Sequence, residues 1–365
     1  LLRKNKMDGI GWFAFNTLQY IVKQNPQIEF HFLFDSGIDR EFLFADNIVP
    51  HQLFPPAKHA VLNVIWFEWS VKRQLEKIKP DLFFSPDGIL CLGWEGKQYG
   101  VIHDINFLHN PGDLKLSNRK YYNYFFPRYA KKAARLGTVS EFSRQDIQEN
   151  FGIEKEKIDV VYCGINSFYH PVDAIVASQT RDKYANGNPY FVFVGTLSPR
   201  KNVLGLLKAF ELFKAETGSS LRLVIVGHDM YKADVLYNQK AQMRFGTDVL
   251  FTGRLLDEEL QNVMASALAL VFVPFFEGFG IPLVEAMQCD VPVIASNITS
   301  VPEVAGDAAL LVDPHNTEEI KNAMKEVASN EKLRWELIQK GRVRRAFFSW
   351  QKTADLVWTG IKKCL

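Results

Sequence analysis

The chain contains the stretch ALVFVPFFEGFGIPLVEAMQ at residues 269–288. Its first five residues are an unbroken apolar run, which is typical of a parallel strand buried on both faces. A loop with Gly278 and Gly280 follows, and residues 282–288 have the composition of a helix. A strand that leads through a glycine-rich loop into a helix predicts an α/β fold, in which ligand-binding loops lie at the carboxyl ends of the strands.

The same alternation of apolar strands and helix-like segments extends in both directions from this stretch. In the second half, strands are predicted at 190–194, 221–226, 249–252, 293–295 and 309–312, with helices at 202–217, 258–267, 318–327 and 331–345. In the first half, strands are predicted at 28–34, 81–85, 99–102, 136–139 and 159–162, with helices at 16–23, 67–78 and 141–150. This alternation predicts βαβ units and parallel sheets.

A chain of 365 residues suits two domains. The strand and helix pattern lapses in a stretch rich in Pro, Asn and Gly, which is typical of an exposed connection. We predict a first domain at residues 1–170, a connection at 171–189, a second domain at 190–348 and a C-terminal helix at 349–365. Because the chain begins at Leu1 without a methionine, we expect that the opening strand of the first domain is missing.

The composition excludes several classes of protein. A net charge of +2 is too mild for a typical nucleic-acid binder. The four cysteines are far apart, with no CxxC pair and no histidine at metal-ligand spacing, so we expect no metal site and a reducing, cytoplasmic location. No apolar run approaches the roughly 18–20 residues that span a bilayer, which leaves peripheral membrane contact open.

The loop after the first strand of the second half contains Gly195, Thr196, Arg200 and Lys201 ahead of a helix. The free amides of a helix N-terminus and two cations can bind a diphosphate and neutralise the charge of a leaving group. The alternative is an ordinary basic first turn that begins at Pro199, and the residue types alone favour neither interpretation. The position of the loop directly after a strand favours a functional role.

The glycine-rich loop allows the backbone amides of Phe279 and Ile281 to approach phosphate or sugar oxygens. Glu277 and Glu285 can accept hydrogen bonds from sugar and ribose hydroxyls. The alternative is that both carboxylates simply favour the positive end of a helix dipole. For Glu285 alone, that alternative is the stronger interpretation.

In the first half, His103 and Asp104 follow a predicted strand, and Gly9 and Gly11 precede a helix. A histidine at a strand end can bind a sugar hydroxyl, although a lone histidine is more often structural. The Gly11 amide can face an anion, but a glycine pair by itself is better explained as a turn. The aromatic residues at 121–126, followed by cations, predict an amphipathic helix that either contacts a membrane or, more simply, packs into the core.

Four motifs together resemble the signature of the group 1, family 4 retaining glycosyltransferases: EGFGIPLVE at 277–285, AM at 286–287, PVIAS at 292–296 and PEV at 302–304. The resemblance extends over residues 9–360. It implies a GT-B architecture: two facing Rossmann-like domains with parallel sheets, an acceptor in the cleft between them, and a C-terminal helix that crosses back to the first domain.

The resemblance also implies residue roles. Lys201 and Arg200 would hold the diphosphate of the donor, Glu277 the hydroxyls of the transferred sugar, and Glu285 the ribose. His103 would approach the donor sugar from the first domain, so His103, Lys201 and Glu277 are the predicted catalytic residues. The predicted donor-binding residues are Gly11, Gly195, Thr196, Arg200, Lys201, Gly253, Arg254, Leu255, Glu277, Gly278, Phe279, Gly280, Ile281, Leu283 and Glu285. Many relatives have an arginine at the position of Thr196, and Arg200 is its expected substitute.

The activity that the resemblance implies is metal-independent and cofactor-independent transfer of a hexose, mannose or similar, from a GDP- or UDP-sugar. The implied acceptor is a saccharide or a lipid-linked intermediate in bacterial surface polysaccharide synthesis, with the reaction in the cytoplasm or at the inner face of the membrane. Two alternatives stay open at this point: a sugar-nucleotide epimerase of the same fold, and a degenerate module that binds a sugar nucleotide without catalysis.

Overall fold

A computed structural model describes residues 7–57, 60–230 and 233–365. The chain divides into two compact units. The first contains the residues up to Gly164 together with Ser349–Leu365, and the second is Ile165–Phe348. Helices and strands are numbered below in chain order. In the described parts of the chain, no helix has both the length and the apolar character needed to cross a membrane.

The second unit is built on one six-stranded parallel sheet. Its strands are β7 (Tyr190–Val194), β8 (Arg222–Val226), β9 (Val249–Gly253), β10 (Ala269–Phe272), β11 (Val293–Ser296) and β12 (Ala309–Val312). Its helices are α7 (Ala174–Ala185), α8 (Val203–Thr217), α9 (Asp234–Gln242), α10 (Asp257–Ala265), α11 (Ile281–Gln288), α12 (Val301–Ala305), α13 (Thr317–Ser329) and α14 (Glu331–Arg345). The strand order is β9-β8-β7-β10-β11-β12, which is the order 3-2-1-4-5-6 of a doubly wound sheet. The predicted parallel α/β fold is confirmed.

The first unit contains two parallel sheets in its described residues. β1 (Phe30–Phe34) pairs with β2 (Ile48–Gln52), and a four-stranded sheet has the order β3 (Phe83–Ser85), β4 (Gln98–Val101), β5 (Arg135–Thr138) and β6 (Ile158–Val160). Its helices are α1 (Gly9–Gln24), α2 (Ala60–Ile65), α3 (Lys72–Ile78), α4 (Asn106–His109), α5 (Leu116–Lys132), α6 (Glu141–Phe151) and α15 (Trp350–Lys362). A π-helical turn, Trp66–Val71, joins α2 to α3.

The last helix, α15, belongs to the first unit and packs against α1, β5 and β6. The hydroxyl of Thr353 donates to the carbonyl oxygen of Tyr162 at 2.6 Å. Gly164 approaches α15 so closely that a Cβ atom there would lie 2.2 Å from the amide nitrogen of Trp350. The prediction of a C-terminal helix that crosses back to the first domain is confirmed.

The predicted connection at 171–189 needs a correction. Most of it is helix α7, which belongs to the second unit and packs against α10 and β8. The carboxylate of Asp173 caps this helix by accepting from the Val176 amide at 2.8 Å, and Asn186 ends it in a left-handed conformation. Only Thr180 and Ala185 of α7 are buried, so the segment lacks the apolar stripe by which a helix is recognised in a sequence.

Candidate active site

The candidate site of the second unit lies at the carboxyl ends of β7 and β10. The strand order reverses between these two strands, and ligands of doubly wound sheets bind at this point. The loop after β7 runs from Gly195 to Asn202, and the loop after β10 leads through Glu277 and Gly280 into α11. The amide of Phe275 donates to the carbonyl oxygen of Arg200 at 2.8 Å, which joins the two loops.

Glycines allow close backbone packing beneath this site. Gly195 and Gly227 have φ angles of 155° and 159°, which favour glycine. A Cβ atom on Gly227 would lie 1.8 Å from the carbonyl oxygen of Gly195. The Gly227 amide also donates to the carbonyl oxygen of Gly253 at 3.0 Å. Sequence reasoning missed Gly227, although a glycine directly after a predicted strand could have indicated it.

Two cations and one carboxylate form the charged cluster of the site. Lys201 and Glu277 are only 8% and 6% exposed, and the Lys201 ammonium group donates to Oε1 of Glu277. Arg200 donates to the same oxygen at 3.1 Å and to the carbonyl oxygen of Phe276 at 3.0 Å. The Lys201 nitrogen also lies 5.1 Å from the ring centroid of Phe272. The structure therefore brings the three predicted charged residues together, bonded to one another.

The ionisation of Glu277 follows from this cluster. Burial raises the pKa of Glu277, but attraction by Lys201 and then by Arg200 outweighs it, and the net pKa lies below the usual value. The carboxyl group is therefore charged at neutral pH. Because both cations bind Oε1, the other oxygen, Oε2, is the one that can accept from a ligand hydroxyl.

The glycine-rich loop is fixed by its own backbone conformation and by contacts with Ser300 and Phe348. Gly280 has a φ of 96°, in the left-handed region that favours glycine, and it caps the start of α11. The Ser300 hydroxyl donates to the carbonyl oxygen of Glu277 at 2.9 Å, and the Phe279 ring packs edge-on against Phe348 at 5.5 Å. The first-turn amides of α11, including that of Ile281, form a helix N-terminus suited to an anion.

Glu285 and Leu283 lie deeper than the sequence suggested. Leu283 is fully buried and Glu285 is 8% exposed. Burial raises the pKa of Glu285 to about 7, although a hydrogen bond with the Tyr169 hydroxyl acts against that rise. The sequence analysis did not identify Tyr169, since it is far from Glu285 in the chain. At the edge of the sheet formed by β9, Arg254 directly follows the strand and is exposed. The next residue, Leu255, is partly buried.

The first unit has its own polar cluster after β4. Nε2 of His103 lies 2.9 Å from the carbonyl oxygen of Pro86. A carbonyl can only accept, so Nε2 carries the proton. The ring also packs edge-on against Phe13 at 4.8 Å. Burial lowers the pKa of His103 in spite of the nearby carboxylates of Asp104, Asp87 and Asp8. His103 is therefore neutral, and its Nδ1 is an acceptor for a hydroxyl rather than a donor.

Gly11 is placed differently from the prediction. It lies inside the first turn of α1, and its amide donates to Oδ1 of Asp8 at 2.9 Å. The amide thus donates to the side chain that caps the helix and is not directed to an anionic ligand. Asp87, which the sequence analysis missed, follows β3 and accepts from the Ser85 hydroxyl at 2.7 Å. In the described residues, no group of three or more His, Cys, Asp or Glu side chains is arranged to hold a metal ion.

Two family models match the chain. Residues 7–167 match Glycosyltransferase Family 4, and residues 178–344 match Glycosyl transferases group 1. The structure is similar to that of WaaG, a glycosyltransferase involved in lipopolysaccharide biosynthesis, with a TM-score of 0.76 and 15% identity over 97% of this chain and 96% of that chain. It is similarly related to Anabaena Alr3699/HepE in complex with UDP-glucose, with a TM-score of 0.76 and 17% identity over 99% of this chain and 98% of that chain. The fold is therefore GT-B.

Among sequence relatives, the O-antigen chain mannosyltransferase B of Escherichia coli is 31% identical over 252 residues, which are 69% of this chain and 66% of that protein. Three further relatives are matched over 32% to 33% of their length. The chain thus spans about a third to two thirds of the length of these relatives. Together, the GT-B fold and the two family matches identify the chain as a member of the group 1, family 4 glycosyltransferases.

Proposed function

We propose that the chain is a retaining hexosyltransferase that uses a nucleotide-sugar donor and no metal ion or other cofactor. The observation that carries this proposal is the charged cluster of Lys201, Arg200 and Glu277, which lies where the strand order of the second unit's sheet reverses. It combines two cations for a diphosphate with a charged carboxylate for sugar hydroxyls.

In this proposal the diphosphate of the donor binds Arg200, Lys201 and the N-terminus of α11. These groups stabilise the charge that develops on the leaving diphosphate, which is the role that a divalent ion has in other transferases. Oε2 of Glu277 accepts from hydroxyls of the transferred sugar, and Glu285 and the backbone at Gly253 contact the nucleoside.

The acceptor hydroxyl attacks the anomeric carbon on the face from which the diphosphate leaves. The bond from the anomeric carbon to the phosphate oxygen breaks as the bond to the acceptor oxygen forms, and the acceptor proton passes to the diphosphate. No protein nucleophile is required, and the anomeric configuration is retained. Nδ1 of His103 accepts a hydrogen bond from a sugar hydroxyl.

The relatives support the choice of sugar and acceptor. The Escherichia coli relative is an O-antigen chain mannosyltransferase, and HepE was crystallised with UDP-glucose. We therefore propose a GDP- or UDP-hexose, with mannose as the first candidate, and a saccharide or lipid-linked acceptor of bacterial surface polysaccharide synthesis.

The test is a panel of nucleotide sugars with EDTA present, scored by thermal shift and by nucleotide release with and without acceptor. Lys201→Ala should abolish the response to the active donor. Lys214→Ala is the matched control, because Lys214 is also a buried lysine of the second unit, paired with Asp248 at 2.8 Å. Conversion of the donor without an acceptor would show an epimerase, and binding without turnover with any acceptor would show a non-catalytic module. Either result would overturn the proposal.

We further propose that α5 brings the enzyme to the inner, anionic face of a membrane. Leu116 and Tyr124 on this helix are 73% and 53% exposed, whereas its inward aromatic residues pack into the core. The helix has five cations and no carboxylate, and each cation contributes about 1 kcal/mol at an anionic lipid surface. Lys120→Gln with Arg128→Gln removes two of these charges and should therefore weaken binding to phosphatidylglycerol vesicles about 30-fold. Replacing Lys332, an exposed cation of α14, with Gln should not weaken binding, and equal effects of the two changes would refute a role of α5.

A further inference from the structure

A surface groove of about 500 Å³ lies in the first unit, between the chain that follows β2 and the segment formed by the π-helical turn and α3. The chain after β2 contributes Gln52 and Phe54 to its lining, and the helical segment contributes Trp69, Arg73 and Lys77. The groove is at the carboxyl end of a parallel strand, which is where α/β folds bind ligands. None of its lining residues is among those predicted for donor binding or catalysis.

The π-helical turn divides its aromatic residues between the core and the groove. Trp66 and Phe67 are buried in a hydrophobic cluster, whereas Trp69 is 59% exposed. Phe54, across the groove, is 64% exposed, and the Ser70 hydroxyl donates to its carbonyl oxygen, which joins the two segments. π-Helical turns occur frequently at functional sites, and large apolar side chains that are exposed together mark interaction surfaces.

The charge of the groove is positive. Arg73 and Lys77 lie one turn apart on α3, and none of the described lining residues is a carboxylate. Glu76, the one carboxylate in the sequence of α3, pairs with Lys72 at 3.9 Å. Within the part of the chain that the structure describes, neither Arg73 nor Lys77 has a carboxylate partner. Two cations without counter-charges favour an anionic ligand.

The groove also contains an amide that is fixed by hydrogen bonds. Nε2 of Gln74 lies 3.0 Å from Nδ1 of His51, and an amide nitrogen can only donate, so Nδ1 accepts. Burial lowers the pKa of His51, so its ring is neutral at pH 7 and Nε2 carries the proton. Nε2 donates to Nδ1 of His31 at 2.8 Å, and Nε2 of His31 donates to Glu29 at 2.9 Å. This chain of hydrogen bonds orients Gln74 and leaves its amide oxygen as an acceptor for a ligand hydroxyl.

We propose that this groove binds a saccharide chain that carries phosphate or carboxylate groups. The rings of Trp69 and Phe54 offer large apolar faces on which the C–H faces of sugar rings stack. The Gln74 amide bonds sugar hydroxyls, and Arg73 and Lys77 bind the anionic groups. A concave groove with an oriented amide suits a hydrogen-bonding ligand better than a lipid surface. The choice of a saccharide rests on the proposed transferase function, and the ligand is a segment of the acceptor other than the one that reacts.

The test is titration calorimetry without a nucleotide sugar, using three probes of equal length: a phosphorylated manno-oligosaccharide, an oligogalacturonate and a neutral manno-oligosaccharide. The anionic probes should bind about tenfold more tightly than the neutral one, and added salt should narrow the difference. Trp69→Ala should weaken binding of the anionic probes about tenfold, and Arg73→Gln with Lys77→Gln should remove the preference for charge. Trp335→Ala and Lys332→Gln on α14 are the matched controls, because Trp335 is 62% exposed and Lys332 is also exposed.

Binding of one anionic probe but not the other would support the groove and identify the anionic group. The proposal is overturned if neither anionic probe binds, or if Trp69→Ala and Trp335→Ala weaken binding equally. It is also overturned if Trp69→Ala leaves saccharide binding unchanged but abolishes binding to phosphatidylglycerol vesicles or to oligothymidylate, since the occupant would then be a membrane or a nucleic acid.

Failure of this proposal and failure of the proposed transferase function give different results. A chain that transfers sugar but binds none of the anionic probes refutes the groove alone. A chain that binds these probes through Trp69 but responds to no nucleotide sugar refutes the transferase alone. Because Trp69, Arg73 and Lys77 are exposed, their variants should keep the thermal midpoint of the wild type, and this measurement shows that lost binding is not lost folding.

Discussion

Replacing Lys201 with methionine tests the charged cluster directly. The change removes the ammonium group and keeps most of the aliphatic chain beside Phe272. Glu277 then retains Arg200 at 3.1 Å as its cationic partner in the cluster. Removing one partner of a buried ion pair costs about 3–5 kcal/mol, and the remaining arginine favours the lower end. Because about 1 kcal/mol lowers the Tm of a unit of this size by about 2–4 °C, we expect a fall of about 6–12 °C at pH 7.

The stability lost in Lys201→Met should depend on pH, because the substitution changes the pKa of Glu277. In the wild type the folded-state pKa of Glu277 lies below the usual 4.5, so the carboxylate contributes stability above pH 4.5 that is lost as the pH falls further. In Lys201→Met the largest attraction is gone and burial raises the pKa of Glu277. The buried carboxyl group then takes up a proton as the pH falls. The stability difference between wild type and variant should therefore be largest at neutral pH and should narrow toward pH 4.5.

The double variant Lys201→Met with Glu277→Gln separates stability from catalysis. It removes both charges of the buried Lys201–Glu277 pair and leaves Arg200, whose side chain is 21% exposed and still donates to the carbonyl oxygen of Phe276, so it should recover most of the lost Tm. Transfer should nevertheless stay about 10²–10³-fold below wild type, which is the usual effect of losing a group that stabilises transition-state charge. The assays are thermal denaturation from pH 4.5 to 8 and nucleotide release. A double variant as unstable as Lys201→Met would refute the ion-pair explanation, and recovery of transfer together with stability would refute the catalytic role of Lys201.

Three further predictions concern single residues. The pKa of Glu285 is raised to about 7, so stability should decline as the pH rises from 4.5 to about 7, and Glu285→Gln should remove this slope in a denaturation series. Gly227→Ala places a methyl group 1.8 Å from the Gly195 carbonyl oxygen and should abolish donor binding in calorimetry, whereas Gly218→Ala, with φ of 62° and no atom within 4 Å, should not. His103→Phe removes one hydrogen-bond acceptor and should slow transfer about 2–10-fold, and an unchanged rate would contradict its contact with a sugar hydroxyl.

The fold could be predicted wherever buried residues form a recognisable apolar pattern in the sequence. β7 and β10 are buried along their whole length, so their apolar runs are continuous and identify central parallel strands. Helix α7 could not be recognised, because a helix with two buried residues has no apolar stripe. Its signals were instead the capping residue Asp173 and the left-handed Asn186, which are short and common in loops as well.

The proximity of the charged residues in the candidate site could be predicted from the sequence, because a parallel sheet brings the carboxyl ends of its strands to one edge, whatever their separation in the chain. That rule places Lys201 and Glu277 at one edge, although 76 residues separate them. It does not predict that both cations bind Oε1 of Glu277, since this depends on side-chain geometry. In the proposed function the pairing changes the chemistry, because the donor would bind to a carboxylate and cations that already neutralise each other in part.

Protonation states depend on burial and on partners that are distant in sequence, and for this reason they distinguish residues that look equivalent in the motif. Glu277 and Glu285 are both buried glutamates of EGFGIPLVE, yet the pKa of Glu277 is lowered and that of Glu285 is raised. Two cations compensate the burial of Glu277, whereas the Tyr169 hydroxyl only partly compensates that of Glu285. Near pH 7, Glu277 is therefore an acceptor in every molecule, while Glu285 is divided between an acceptor and a hydrogen-bond donor. A ribose hydroxyl can donate to the ionised form and accept from the protonated form, so in the proposed function Glu285 would pair with the nucleoside in either protonation state.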